Sequence, residues 1–139
     1  MPTLSGFVTA QEAVWPDVLR ELRAGQKTSH WIWWVFPQLS SLGRSPRARH
    51  FGLSGVDEAA DYLAHPILGP RLVEVSQILL SHTGTDPETI LGPIDSLKVR
   101  SSLTLFEAVP DADPVFAQVL DGMYGGTRCP ITRQAVAAG

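Results

Sequence analysis

Proline and glycine punctuate this sequence at short intervals, and that spacing is what most limits its fold. Proline fits only the first turn of a helix, and glycine past a helix end accepts the left-handed turn that closes it. Elements between such stops are short. Asp86-Pro87 with Gly92, and Asp113-Pro114 with Gly125-Gly126, each read as a helix with a cap at one end and a stop at the other. Phe7, Ala10 and Val14, then Val18, Leu19 and Leu22, repeat with a helical period that restarts at Pro16 and stops at Gly25. Ser54, with Asp57 three residues on, predicts a capping-box-like entry to "SGVDEAADYLAH". Leu68, Leu72, Val75, Ile78 and Leu79 form an apolar stripe. In "DSLKVRSSLTLFEAV", Leu97, Arg100, Ser101 and Thr104 fall on one face, and Leu103 and Phe106 on the other. Alternating segments flanked by hairpin turns do not occur. The expectation is an all-α, compact, single-domain bundle of six or seven short helices.

The bulk numbers suit that expectation. A chain of 139 residues is the size of one domain and buries a sizeable core without disulfides or metals. At 44% hydrophobic and 18% charged residues it reads as a compact globule rather than a disordered chain. A net charge of −3 argues against nucleic acid as a partner, which calls for a basic surface. The opening "MPTLSGFVTAQEA" lacks a basic, then apolar, leader pattern, and no apolar run is long enough to span a membrane. Cys129 is alone and forms no internal disulfide, so a cytoplasmic setting is expected. An unpaired cysteine is a weak candidate nucleophile.

The segment "KTSHWIWWVFPQ", Lys27 to Gln38, holds three of the four tryptophans. Its aromatic and β-branched "WIWWVF" favours a strand by composition. Ser29 is placed to cap a helix starting at His30, and Pro37 to end it, and a lone strand would have no partner. A short buried helix is the expectation. Trp31 and Trp34 share a helix face and Trp33 points elsewhere; core packing, or an aromatic wall for a flat ring, both fit such residues.

Several polar groups could carry chemistry. Lys27, Ser29 and His30 at a helix entry suit an anion, and His30 titrates near neutrality as a general acid or base does. Arg71 sits on a mostly apolar helix, where it needs a partner: a bound phosphate, or an ion pair with Glu74 or a helix end. Asp95 and Lys98 lie one turn apart, ahead of Arg100, Ser101 and Ser102, so a carboxylate stands beside cations and hydroxyls. The run "GRSPRARH" reads as a basic surface loop. There is no P-loop, GxGxxG, GxSxG or HExxH, and the four histidines have no ligand-like spacing, so neither cofactor nor metal is expected.

The blocks "FVTAQ", "LRAGQKTSHWIWWVFPQLSSLGRS", "YLAHPILGPRL" and "LKVRSSLTLF" resemble the bacterial domain-of-unknown-function family 1810, from about Phe7 to Gly126. The resemblance implies a small, single-domain, all-helical fold over residues 1–139, and tips "WIWWVF" further towards helix. The family pattern is matched at Gln11, Gly25, Lys27, Ser29, His30, Trp31 and Trp33, through Phe36, Pro37 and Gln38. It continues at His65, Pro66, Gly69 and Arg71, and at Lys98 to Ser102 apart from Val99. Trp15 stands where the family often has tyrosine, and Leu103 where it often has methionine. The order of FxxAQ, HPxLGxR and RSSxxLF is also similar to that of the YbiA-like (NADAR) proteins, which implies N-glycosidase chemistry on ADP-ribosyl or related ribosyl compounds. Those proteins carry a glutamate shortly before the Phe-x-x-Gln region, where this chain has "PTLSG". Asp95 is then the acid assigned.

Three functions follow as expectations. The first is a hydrolase of a ribosyl-nucleotide-like substrate. Asp95 or His30 would be catalytic, Trp31 or Trp33 would stack on the base, and Lys27, Arg71, Lys98 and Arg100 would hold phosphates, with Ser29, Gln38 and Ser101 lining the same site. The second is a non-catalytic module that uses that pocket for a nucleotide or an acidic peptide terminus. The third is a structural or interaction protein whose tryptophans are core.

Overall fold

The computed structural model describes residues 4–43 and 45–138, and every regular element among them is helical. In chain order these are α1 (Leu4–Glu12), α2 (Trp15–Ala24), α3 (Ile32–Val35), a 3₁₀ turn at Ser40–Leu42, α4 (Pro46–His50) and α5 (Val56–Ala64). Then come α6 (Leu68–Leu80), α7 (Pro87–Leu91), α8 (Pro93–Glu107), α9 (Val115–Met123) and α10 (Pro130–Ala138). Seven of these run nine residues or longer, which is the helix number expected; α3, α4 and α7 are single turns between them.

The stops and starts act where the local chemistry puts them. Pro16 sits in the first turn of α2, and Gly25, at φ 71°, ends it with its N–H on Glu21 O and Leu22 O. The Asp86 carboxylate accepts the Glu88 N–H at 2.8 Å, and Asp113 accepts that of Val115 at 2.9 Å. The His65 Nδ1 accepts from the N–H groups of Ile67 and Leu68, turning the chain from α5 into α6. Ser54 does not cap α5. Gly55 is the flanking residue, and the Glu58 carboxylate reaches back to the Ser54 N–H at 3.2 Å, so the box is closed from Glu58 and not from Asp57. The run "GRSPRARH" is not all loop, because Pro46–His50 form α4; Arg44 lies outside the described residues, as does the Arg47 side chain.

Helix α8 is the centre of the fold. It packs against α3, α5, α7, α9 and α10, and from Ser101 to Phe106 every residue is buried. The two-faced reading fails over that half of the helix for that reason: a stretch surrounded on all sides has no solvent face to keep polar. Its small polar residues turn inward instead, Thr104 donating to Arg100 O at 2.7 Å and accepting the Cys129 N–H at 3.1 Å. An aromatic line crosses the core from Trp33 and Trp34 through Phe51, Phe7, Tyr62 and Phe106 to Phe116, with successive ring centroids 5.3 to 6.0 Å apart. The chain beyond Gly126 belongs to this packing: Cys129 and Thr132 are buried, and α10 lies on α8.

Two close approaches admit only glycine. A Cβ on Gly69 would lie 2.1 Å from Leu63 O, where α6 crosses α5. A Cβ on Gly52 would lie 2.3 Å from the Ser40 Cα, where Leu39 and Leu53 pair as an isolated bridge. Gly69→Ala therefore forces α5 and α6 apart and costs roughly 3 kcal/mol or more. Gly55→Ala, with extended backbone and no atom within 4 Å, changes stability by less than about 1 kcal/mol. Urea unfolding of the two variants beside the parent chain measures the difference.

Candidate functional site

The tryptophan-rich segment is held by a carboxylate that faces inward. Glu21 is on α2, and its side chain is 3% exposed. Its Oε1 accepts three N–H groups: Thr28 N at 2.7 Å, Ser29 N at 2.8 Å and Trp31 Nε1 at 3.1 Å. Burial pushes the carboxyl up, but the bonds from Ser29, Thr28 and Trp31 outweigh it and hold the group at about 2. An ionised carboxylate thus takes the place of water for a turn of exposed backbone N–H groups.

Lys27 is the second anchor. Its N–H donates to Ile90 O at 2.7 Å, and its ammonium lies 2.7 Å from Asp95 Oδ2 and 2.6 Å from Ser29 O. The same ammonium sits 4.9 Å from the Trp31 ring, and the side chain is only 5% exposed. A buried ammonium thus has a carboxylate, a carbonyl and an aromatic face around it. Asp95 stands in the first turn of α8, where the helix favours negative charge. Lys98, one turn on, has its Nζ 3.7 Å from Asp95 Oδ1 and 5.2 Å from the Trp33 ring.

The expected helix from His30 to Phe36 shrinks to one turn, Ile32–Val35. Ser29 does not cap it: the Ser29 N–H is drawn to Glu21 and its carbonyl to Lys27, which fixes the chain before a helix can start. Trp31 is wholly buried, whereas Trp33 and Trp34 are part-buried and meet edge to face at 5.9 Å.

Lys98, Trp33 and Gln38 do come together. They line a cleft with Ile32, Phe36, Pro37 and Phe51, and its interior is about 10 Å³, room for roughly one water. The Gln38 amide and the Lys98 ammonium make no hydrogen bond to a described residue, and the Lys98 side chain is 26% exposed.

The other residues expected in this site lie elsewhere. His30 is exposed and makes no hydrogen bond to a described residue. Arg71 stacks over Trp15 at 4.8 Å and donates to Gln11 Oε1 at 3.3 Å and Glu12 Oε1 at 2.8 Å, so its ion pair is with Glu12 and not Glu74. Gln11 in turn donates to Trp34 O at 2.6 Å and to the Tyr62 hydroxyl at 3.0 Å, which burial pushes well above its usual range. Arg100 is five residues past Asp95, about 140° around the helix. Its charge acts on Tyr124, whose hydroxyl donates to Ser96 O at 2.8 Å and is pushed up to about 12 by burial, against that bond and Arg100. Ser101 faces Cys129. Burial raises that thiol, but Ser101, Thr132 and Ile131 outweigh it and hold it below its usual value. Among the described residues, no three His, Cys, Asp or Glu side chains gather as a metal site would need, and no helix is long and apolar enough to cross a membrane.

Glu21 was missed in the sequence, although a signal was present. With Val18 and Leu22 it falls on the buried stripe of α2, and a charged residue on a core stripe needs a partner.

Glu21→Gln is expected to cost roughly 2–4 kcal/mol, because an amide cannot accept all three bonds and brings donors of its own. Glu12→Gln, which breaks an exposed pair with Arg71, costs less than about 1 kcal/mol. The depressed Glu21 carboxyl adds stability that is present above about pH 4.5 and is lost as pH falls towards about 2. Denaturation midpoints measured across that window for the parent chain and Glu21→Gln should converge at the acid end.

Residues 2–136 match the family model described as "Protein of unknown function (DUF1810)". The crystal structure of Rv1873, a conserved hypothetical protein from Mycobacterium tuberculosis, superposes with a TM-score of 0.93 at 46% identity, over 96% of each chain. No curated protein matches, and nothing in these comparisons supports the likeness to the NADAR proteins. The chain belongs to the DUF1810 family.

Proposed function

We propose that this protein is a non-catalytic recognition module, taking a small anionic group at the cleft of Lys98, Trp33 and Gln38. One observation carries this reading: in the cluster of Lys27, Asp95 and Lys98, the Lys98 ammonium makes no hydrogen bond to a described residue. Lys27 spends its ammonium on Asp95, Ser29 and the Trp31 face, while Lys98 stands at 3.7 Å from its carboxylate, beyond hydrogen-bond length. An amide and an indole face line the same cleft, a combination that grips a carboxylate or phosphate oxygen end-on. The size of the cleft favours the charged end of a ligand, such as a peptide C-terminus, over a whole nucleotide, which needs a pocket of at least about 300 Å³.

Hydrolysis of a ribosyl compound draws less support. Asp95 and His30 share no site, Asp95 has a lysine ammonium on each oxygen, and Trp31 has no face open to a base. The structural reading accounts for Trp31, Glu21 and Lys27, but it leaves the Lys98 ammonium and the Gln38 amide without a hydrogen bond to a described residue.

The test is a tryptophan-fluorescence titration with a tetrapeptide bearing a free C-terminus, its amidated form, inorganic phosphate, AMP and ADP-ribose. The expected result is saturation by the free carboxylate, little response to the amide, and at least about tenfold weaker binding in Lys98→Met. No saturable response to any anion would remove the proposal. Adenine release from ADP-ribose, seen by mass and lost in Asp95→Asn, would restore the hydrolase.

A further inference from the structure

On the far side of the core from the Lys98 cleft's lining, α5, α6 and the turn after α8 enclose a groove of about 490 Å³. We propose that this groove is a second binding site, for a small organic cation with an apolar body.

The groove has the size of a small-molecule pocket, usually about 300–1,000 Å³. Its walls are apolar: Leu63 from α5, Val73 from α6, and Val109 and Pro110 from the turn. Gly69, on its lining, lets α6 close onto the Leu63 carbonyl of α5, so the two helices form one continuous wall. Among the described residues, the polar side chains on its lining are two exposed carboxylates, Asp111 and Asp113, with no cation beside them. Asp113 spends one oxygen on the Val115 N–H, while Asp111 makes no hydrogen bond to a described residue. Asp111 stands at φ 62°, a left-handed conformation that aspartate tolerates better than most residues. An apolar trough with free negative charge at its rim is complementary to an ammonium on a hydrocarbon body. It repels an acid of the same shape and gives a neutral analogue only the apolar contact. The amine would lay its body on Leu63 and Val73 and its ammonium at Asp111. None of these residues belongs to the Lys98 cleft, so this site stands or falls independently of it.

Phenethylammonium, phenethyl alcohol and 3-phenylpropanoate serve as cationic, neutral and anionic probes of one shape. Two-dimensional NMR titration of the full chain reads both affinity and location. The expected result is saturable shifts of the amides of residues 63, 73, 109 and 111–113 with the amine, weaker binding of the alcohol and none of the acid. Asp111→Asn keeps the tolerance for the left-handed turn, and should weaken the amine by roughly two- to fivefold with little change in Tm. Equal binding of amine and alcohol, shifts confined to other residues, or no saturation would each overturn the proposal. So would a concentration-dependent dimer at this face that the amine does not displace, which would assign the groove to a second copy.

Discussion

Two charged side chains taken out of water decide how the aromatic segment of this protein is built. Glu21 collects the N–H groups of Thr28, Ser29 and Trp31, and Lys27 collects Asp95, the Ser29 carbonyl and the Trp31 face. Each satisfies donors or acceptors that the turn between α2 and α3 would otherwise bury alone. Between them they tie together three elements: the last turn of α2, the one-turn α3 and the first turn of α8. Trp31 is where the two systems meet, since its indole N–H goes to Glu21 and its ring to Lys27.

That arrangement reorders the meaning of the polar residues around the tryptophans. A lysine, a serine, a histidine and an aspartate near tryptophans suggest a site, yet most of their polar atoms are consumed in holding the fold. Arg71 repeats the pattern on the other side of the aromatic line. Its guanidinium, Gln11, Tyr62 and the Trp34 carbonyl form a chain of bonds from surface to core that fixes α1 against α3 and α6. Among the described residues, what is left over at the aromatic segment is narrow: the part-exposed Lys98 ammonium and the Gln38 amide beside the Trp33 ring, with the exposed His30 outside that cleft. Function is read more safely from such unspent groups than from the density of polar residues in a motif.

The legible part of the fold was its punctuation. Helix ends at Gly25, Gly92 and Gly125-Gly126, and entries at Pro16, Asp86 and Asp113, follow from groups within four residues of one another. The all-helical class followed from the same marks. The burial of α8 was not legible, because Ser101, Ser102 and Thr104 look like a polar face and are in fact packed inward, with Thr104 bonded to its own helix and to Cys129. The length of α3 was misjudged for a related reason. Ser29 is a good local cap, but its hydroxyl, like its N–H, is drawn to a carboxylate eight residues back that is ionised and sheltered from water.

For the site, the sequence alone placed Asp95 and Lys98 together, because residues one turn apart on a helix share a face whatever surrounds them. It could not choose which cations reach Asp95, since Lys27 arrives from the turn between α2 and α3, and Arg100, closer in sequence, is carried round to Tyr124 by the helical twist. Caps and turns are settled by neighbours along the chain. Pairings across the core, such as Lys27 with Asp95 or Arg71 with Gln11, are settled only when packing sets which buried charges have no water left to turn to.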